Sequence, residues 1–156
     1  MFQKVITLFI LLCTSLLCKA QVTDSLKHNV PIRLLVGYSL GKYSYAEVGI
    51  ATLKSELQGY HLFSSAYFVA TEILIANKLV IGPKIGVWAS GGTSGLAMGL
   101  NMIYYTNFKN GIFVFRPEIG IGVNSVKVVY GYNMRLQQKV FDKVNKNIVG
   151  FAFCVK

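Results

Sequence analysis

The chain has 156 residues, a formal net charge of +10, 53% hydrophobic residues and three cysteines. This length predicts one domain, and the apolar content without a cluster of basic residues on one face argues against a nucleic-acid-binding protein. Cys13 and Cys18 lie in an N-terminal segment that we expect to be cleaved before residue 21, as argued below. Cys154 would then be the remaining cysteine, and no internal disulfide is expected.

The N-terminal segment has the three-part pattern of a secretory signal. Lys4 precedes an apolar run from Val5 to Leu17, and Cys18 and Ala20 are small residues at the −3 and −1 positions of a cleavage site. The run is shorter than the roughly 20 residues of a spanning helix. A membrane anchor and a lipoprotein site at Cys18 are the alternatives. We therefore predict a signal peptide at 1–20, a lead-in at 21–31 and one β-barrel domain at 32–156.

Eight segments after the lead-in are rich in β-branched and aromatic residues, and glycine recurs inside most of them, which fits strands better than helices. Turn residues separate them, including Ser55 to Gly59 and Gln137 to Lys146. The predicted strands are 32–40, 44–54, 60–75, 79–90, 95–105, 111–122, 126–136 and 147–155.

Within these segments, bulky apolar residues alternate with glycine, alanine and charged residues. In 111–122, for example, Phe113 and Ile119 have one parity, and Arg116 and Glu118 have the other. The charges avoid the bulky face, whereas a water-soluble sheet would place its charges outside. The pattern predicts an all-β fold, a closed eight-stranded antiparallel up-and-down transmembrane β-barrel with apolar side chains towards lipid.

The charged residues of these strands would then point into the lumen. An eight-stranded barrel has an interior that side chains can fill, so we expect a structural ion-pair network and no open pore; a proton or ion path is the alternative role. Five cations face three anions, so part of the surplus should reach water or a bound anion near a rim. Trp88 has inward parity and would fill the lumen. The predicted lumen charge network comprises Arg33, Glu47, Glu72, Lys84, Arg116, Glu118, Lys127 and Arg135.

Across nearly all of 31–156 the chain resembles the small eight-stranded outer-membrane barrel proteins of the OmpA/OmpX type. The last segment alternates Phe151, Phe153 and Val155, as the final strand of that class does, although Lys156 replaces its terminal aromatic residue. The resemblance implies insertion by the outer-membrane machinery, with location in the outer membrane of a Gram-negative-type cell envelope. Members of the class are anchoring, adhesive or defensive barrels, and a few are lipid-modifying enzymes.

Membrane lipids are the expected partners, and we expect a monomer without a nucleic-acid partner. Lysines near the predicted turns could contact lipopolysaccharide or phospholipid headgroups, or be solvated turn residues that keep the precursor soluble. They are Lys42, Lys54, Lys78, Lys109, Lys143 and Lys146.

The predicted function is an integral outer-membrane barrel with a structural or surface-interaction role, not an enzyme. One alternative is a lipid-modifying barrel enzyme, for which His61 and Ser65 share the lipid-facing parity. Another is a secreted lipocalin-like barrel that binds a small apolar ligand inside. We predict no catalytic, cofactor-binding or metal-binding residues, because no cluster of ligands has metal spacing and the glycines at 91–95 are followed by neither a helix nor a P-loop lysine.

Two further features predict details of the fold. Pro83 and Pro117 lie inside predicted strands and lack a donor, so each should mark a bulge or a rim position. Tyrosines near strand ends or turns fit an interfacial girdle in which the ring contacts lipid headgroups. They are Tyr38, Tyr43, Tyr45, Tyr60, Tyr104, Tyr105, Tyr130 and Tyr132.

Overall fold

The computed structural model describes residues 31–58, 61–75, 79–92, 94–136, 141 and 143–155, of which Gln58 and His61 are described by their backbone alone. The predicted signal peptide and most of the predicted lead-in lie outside these residues. In the described part of the chain the regular structure is β. The strands are β1 Ile32–Leu40, β2 Tyr45–Gln58, β3 His61–Leu74, β4 Ile81–Gly91, β5 Leu96–Thr106, β6 Gly111–Val123, β7 Val126–Tyr132, β8 Met134–Arg135 and β9 Asn147–Val155.

The strands form one closed antiparallel sheet in which neighbours in sequence pair, and the β1–β9 pairing completes the circle. The short β8 continues β7, because both pair with β6 in a single register: Glu118 lies opposite Gly131, and Phe115 lies opposite Met134. β7 and β8 therefore make one wall element, and the barrel has eight. The predicted all-β, closed, eight-stranded antiparallel barrel is confirmed.

The end of β2 differs from the prediction by four residues. The turn expected from Ser55 to Gly59 is wrong, because β2 continues to Gln58 and pairs with β3 as far as His61. A hydrogen bond of 3.0 Å between the hydroxyls of Ser55 and Ser64 joins the two strands in this extension. The polar residues of this extension have the composition of a turn, but they form part of a strand because they pair with β3.

The two prolines interrupt hydrogen-bond ladders without a shift in register. Pro83 is the third residue of β4, and the β4–β5 pairing resumes beyond it at Lys84 in the register set by Ile81. Pro117 lies in the middle of β6, where pairing with β7 and β8 lapses and divides those two strands. The expectation of a bulge or a rim position is therefore wrong for Pro117; the missing N–H is accommodated by a local gap in one ladder.

Glycine is needed where two strands approach closely on the inner side of the wall. A Cβ added to Gly49 on β2 would overlap the carbonyl oxygen of Val69 and the Cβ of Ala70 on β3. At Gly150 on β9, by contrast, the nearest atom to an added Cβ is 3.4 Å away. The first position excludes a side chain and the second has space for one.

The barrel has two different ends. One end, here called the turn end, holds the start of β1, the finish of β9 and the tight connections β2–β3, β4–β5 and β6–β7. The other, here called the loop end, holds the β1–β2, β3–β4 and β5–β6 connections and the longest one, between Arg135 and Asn147.

At the loop end, part of the longest connection folds over the lumen. Phe141 and Val144 are 5% and 4% exposed and pack among lumen side chains, with Tyr43 against them. The Asn145 amide accepts a hydrogen bond from the Tyr43 N–H at 2.8 Å and donates one to the Tyr43 carbonyl at 2.6 Å. This segment closes the loop end of the barrel.

The outer face of the wall is an apolar belt to which every barrel strand contributes large exposed side chains. On β3, Tyr67 and Val69 are 69% and 57% exposed, and Ile85 on β4 is 60% exposed. The strands have 9 to 14 residues, apart from the divided pair β7 and β8, which suits the roughly 9–11 residues of a tilted bilayer-spanning strand. Among the described residues, no helix is long and apolar enough to cross a membrane.

Candidate functional site in the barrel lumen

The lumen is filled by three layers of side chains. The loop-end cluster consists of Tyr45, Leu74, Val80, Ile103, Tyr105, Ile112, Val114, Phe141 and Val144. The turn-end cluster consists of Leu35, Ala51, Leu53, Ala66, Phe68, Ala70, Trp88, Ala152 and Cys154. Buried ionic side chains occupy the middle of the barrel, between the two apolar clusters.

These ionic side chains form one continuous chain of alternating charge, here called the charge network. Lys84 Nζ lies 2.8 Å from Glu47 Oε2 and 2.9 Å from Glu72 Oε1. Glu72 continues the chain through an ion pair with Arg116. At its other end, Glu118 Oε2 lies 2.7 Å from Lys127 Nζ, and its Oε1 lies 3.9 Å from Arg116 Nη1. The network thus connects β2, β3, β4, β6 and β7 across the barrel axis.

Arg116 is the central member of the network and is 1% exposed. Its Nη1 and Nη2 donate to the two carboxylate oxygens of Glu72 at 2.6 and 3.1 Å, which is a bidentate pair. Its Nε donates to Asn133 Oδ1 at 2.7 Å, and its Nη2 also donates to the Tyr105 hydroxyl. A planar guanidinium suits this arrangement because it presents donors in several fixed directions.

The charges of this network balance. Three carboxylates, Glu47, Glu72 and Glu118, alternate with three cations, Lys84, Arg116 and Lys127. Burying ions is tolerable when each is paired, and every ion of the network has a partner of opposite charge. Glu72 accepts from Lys84, Arg116 and the Tyr105 hydroxyl, so its oxygens are engaged in holding the wall together.

Two of the eight predicted network residues lie apart from it. Arg33, near the turn end, is half-buried and donates to the Ser125 hydroxyl at 3.2 Å. Arg135, at the loop end, is exposed and donates to the Val144 carbonyl at 3.1 Å. Both lie close to strand ends, where a hydroxyl and a backbone carbonyl accept from them. The surplus of cations counted from the sequence is thereby located at the two rims, and the other six residues meet inside.

Three further side chains lie in the lumen, although they were not predicted to lie there. Tyr45 and Tyr105 are each 1% exposed and their ring centroids lie 5.4 Å apart inside the barrel, so the girdle assignment is wrong for them. Asn133 joins Arg116 to the Asn145 carbonyl at 2.7 Å. Strand parity could have placed both tyrosines, since Tyr45 shares its face with Glu47, and Tyr105 shares its face with Asn101.

Trp88 lies in the turn-end cluster and is 3% exposed. Lys127 Nζ lies 5.6 Å from the centroid of its ring and 5.4 Å from that of Phe68, within the range of cation–π attraction. The aromatic pair therefore borders the cationic end of the charge network.

The residues considered for catalysis are not gathered in a described site. The side chain of His61 lies outside the described residues, and Ser65 is exposed on the outer face of β3. No group of three or more His, Cys, Asp or Glu residues in the described ranges could hold a metal ion.

Comparison with protein families, with curated proteins and with solved structures found no match to this chain.

Proposed function

We propose that the protein is an integral outer-membrane β-barrel with a sealed lumen and a structural or surface-interaction role. Its expected surroundings are the outer membrane of a Gram-negative-type envelope, reached by a cleaved signal peptide and the outer-membrane insertion machinery. Membrane lipids are its proposed partners, and it acts as a monomer.

The sidedness of the wall carries this proposal. Large apolar side chains cover the exterior of every barrel strand, while six ionic side chains are held inside. Exposing so much contiguous apolar surface to water favours aggregation, whereas hydrocarbon stabilises it. A secreted carrier of apolar ligands would need the reverse, a polar exterior and an apolar cavity.

The filled lumen supports a structural rather than a conducting role. The two apolar clusters lie on either side of the charge network, and Phe141 and Val144 cover the loop end. The charges are paired with each other, and together with the two clusters they fill the lumen with packed side chains. Contact with other molecules is then left to the outer wall and the exposed connections.

Membrane fractionation combined with detergent-gel mobility tests the proposal. The full chain should sediment with outer membranes, resist extraction by carbonate, and run at a different apparent mass before and after boiling, because a closed barrel stays folded in cold detergent. Recovery in the soluble periplasmic fraction, with one mobility under both conditions, would contradict membrane integration and favour the carrier.

A further inference from the structure

The loop end carries a basic pocket that the sealed lumen does not explain. It has a volume of about 680 Å³ and is lined by Gly41, Lys42, Arg135, Val144, Asn145, Lys146 and Asn147. Its walls come from two connections, β1–β2 and β8–β9, that Asn145 holds together through its two hydrogen bonds to Tyr43. The pocket is therefore built by fixed backbone, and its size is within the range of ordinary ligand sites.

Cations dominate this pocket. Lys42, Arg135 and Lys146 are exposed side chains in its lining, and Lys143 lies beside it with its Nζ 4.7 Å from the Tyr43 ring centroid. The described residues of the lining include no carboxylate. Arg135 donates one N–H to the Val144 carbonyl, and because a guanidinium carries five N–H donors, it can also donate to a ligand.

The two ends of the barrel differ in charge, which makes the pocket part of a larger pattern. Among the described residues, the connections of the loop end and the adjoining end of β8 carry no acid. Their cations are Lys42, Lys109, Arg135, Lys143 and Lys146. At the turn end, the described cations outside the charge network are Arg33 and Lys54, and Lys54 is paired with Glu56. An anionic layer would stabilise the loop end specifically.

The pocket also adjoins the apolar belt. Leu40 and Val149 are opposite each other on β1 and β9 just below it, and they are 52% and 50% exposed. Tyr132 lies on the same side, with Lys146 Nζ 5.8 Å from its ring centroid. A molecule with a charged head in the pocket could lay an acyl chain along this part of the wall.

We infer that the pocket binds the phosphate group of a lipid headgroup, with Lys42, Arg135 and Lys146 as its ligands. This inference rests on the proposed membrane location. The Asn145 and Asn147 side chains are already engaged, by Tyr43 and by the Tyr130 hydroxyl, so the cations supply the recognition. Phosphate monoesters suit them because several donors can share the charged oxygens.

Lipid binding to the full chain, refolded in uncharged detergent micelles and measured by native mass spectrometry, tests this site. The probes are phosphatidic acid, phosphatidylcholine and inorganic phosphate. The double variant Lys42→Gln/Lys146→Gln removes two ligands, and Arg33→Gln/Lys54→Gln removes the same charge at the turn end. A lysine near anionic lipid contributes roughly fivefold in affinity, so the pocket variant should bind phosphatidic acid about 25-fold more weakly. The control should stay within about threefold of the unmodified protein, because water and salt screen distant charges.

Three results would overturn the inference: equal losses in both double variants, unchanged binding in the pocket variant, or inorganic phosphate bound as tightly as phosphatidic acid, which would indicate a site for free anions. A shift in gel mobility on boiling is recorded first for each protein. If the unmodified chain shows no such shift and remains soluble without detergent, the proposed membrane location fails; if it folds in micelles but shows no preference for phosphatidic acid, the pocket assignment alone fails.

Discussion

Arg116 is the residue on which the charge network depends most, because it pairs with Glu72 through two nitrogens and also contacts Tyr105 and Asn133. Replacing it by methionine would keep much of the volume but leave a buried carboxylate short of donors. Removal of one partner of a buried ion pair costs about 3–5 kcal/mol. We expect Arg116→Met to lower the free energy of unfolding by about that amount in urea titrations of the detergent-folded barrel.

Two companion variants make this expectation specific to the guanidinium. The unfolding free energy of Arg116→Lys should lie between those of the unmodified protein and Arg116→Met, because one ammonium cannot reach all of these acceptors in the same geometry. Arg135→Met removes an exposed arginine from the loop end and should change stability by less than about 1 kcal/mol. Equal midpoints for Arg116→Met and Arg135→Met would show that the network does not stabilise the barrel.

A second prediction at this scale concerns close packing of the wall. Gly49→Ala would drive a methyl group into the backbone of β3. Gly150→Ala adds the same group at a position where the nearest atom is 3.4 Å away. Overpacking typically costs about 1–3 kcal/mol. We expect Gly49→Ala to lower the unfolding midpoint clearly and Gly150→Ala to leave it nearly unchanged, and a similar response of both would contradict the close approach of β2 and β3.

At the scale of elements, strand number and closure were predictable from the sequence because alternation repeats in each segment and turn residues separate them. The failures have local causes. Ser55 looks like a turn residue, yet it lies in β2 because β3 supplies a partner. Pro117 looks like a strand end, yet β6 continues through it because only the ladder to β7 and β8 is interrupted.

The lumen was predictable in part for a related reason. Parity identifies which face a side chain occupies, and it selected the six residues that meet in the network. Parity does not tell how far along the barrel axis a residue lies, so Arg33 and Arg135 were placed with the others although they lie near the rims. The contribution of Phe141 was also hidden, because it comes from a connection rather than a strand.

The segment that closes the loop end gives a prediction at the element scale. Asn145→Ala would remove both amide hydrogen bonds to Tyr43 and release the segment from the β1–β2 connection, leaving the bond from the Tyr45 hydroxyl to the Lys143 carbonyl. Trypsin should then cleave after Lys143 more than tenfold faster than in the unmodified protein. That ratio corresponds to about 1.4 kcal/mol of lost protection, within the range for unsatisfied backbone groups. Asn147→Ala loses only an exposed bond to Tyr130 and is the matched control. Equal cleavage rates in the two variants would mean that Asn145 does not hold the segment.

For the whole molecule, the decisive property is which solvent the exterior meets. Val69 lies in the middle of β3, opposite Ile50 and Ile85 on the neighbouring strands, and all three are exposed. Towards the turn end the belt stops at the outward ion pair between Lys54 and Glu56. These positions lie at different depths along the barrel axis. The same substitution should therefore change the unfolding free energy by different amounts in lipid and by equal amounts in water.

Val69→Arg and Val123→Arg test this dependence on depth. In lipid vesicles, an arginine near the midplane costs about 2–4 kcal/mol, so Val69→Arg should unfold at clearly lower denaturant than the unmodified barrel. Val123 is 65% exposed, has the outward parity of Ile121 and is the last residue of β6 at the turn end, so Val123→Arg should cost less than about 1 kcal/mol. An exposed valine on a water-soluble barrel would accept arginine within about 0.5 kcal/mol. Equal unfolding midpoints for Val69→Arg and Val123→Arg would therefore mean that the belt faces water, because only hydrocarbon makes the cost of the charge depend on depth.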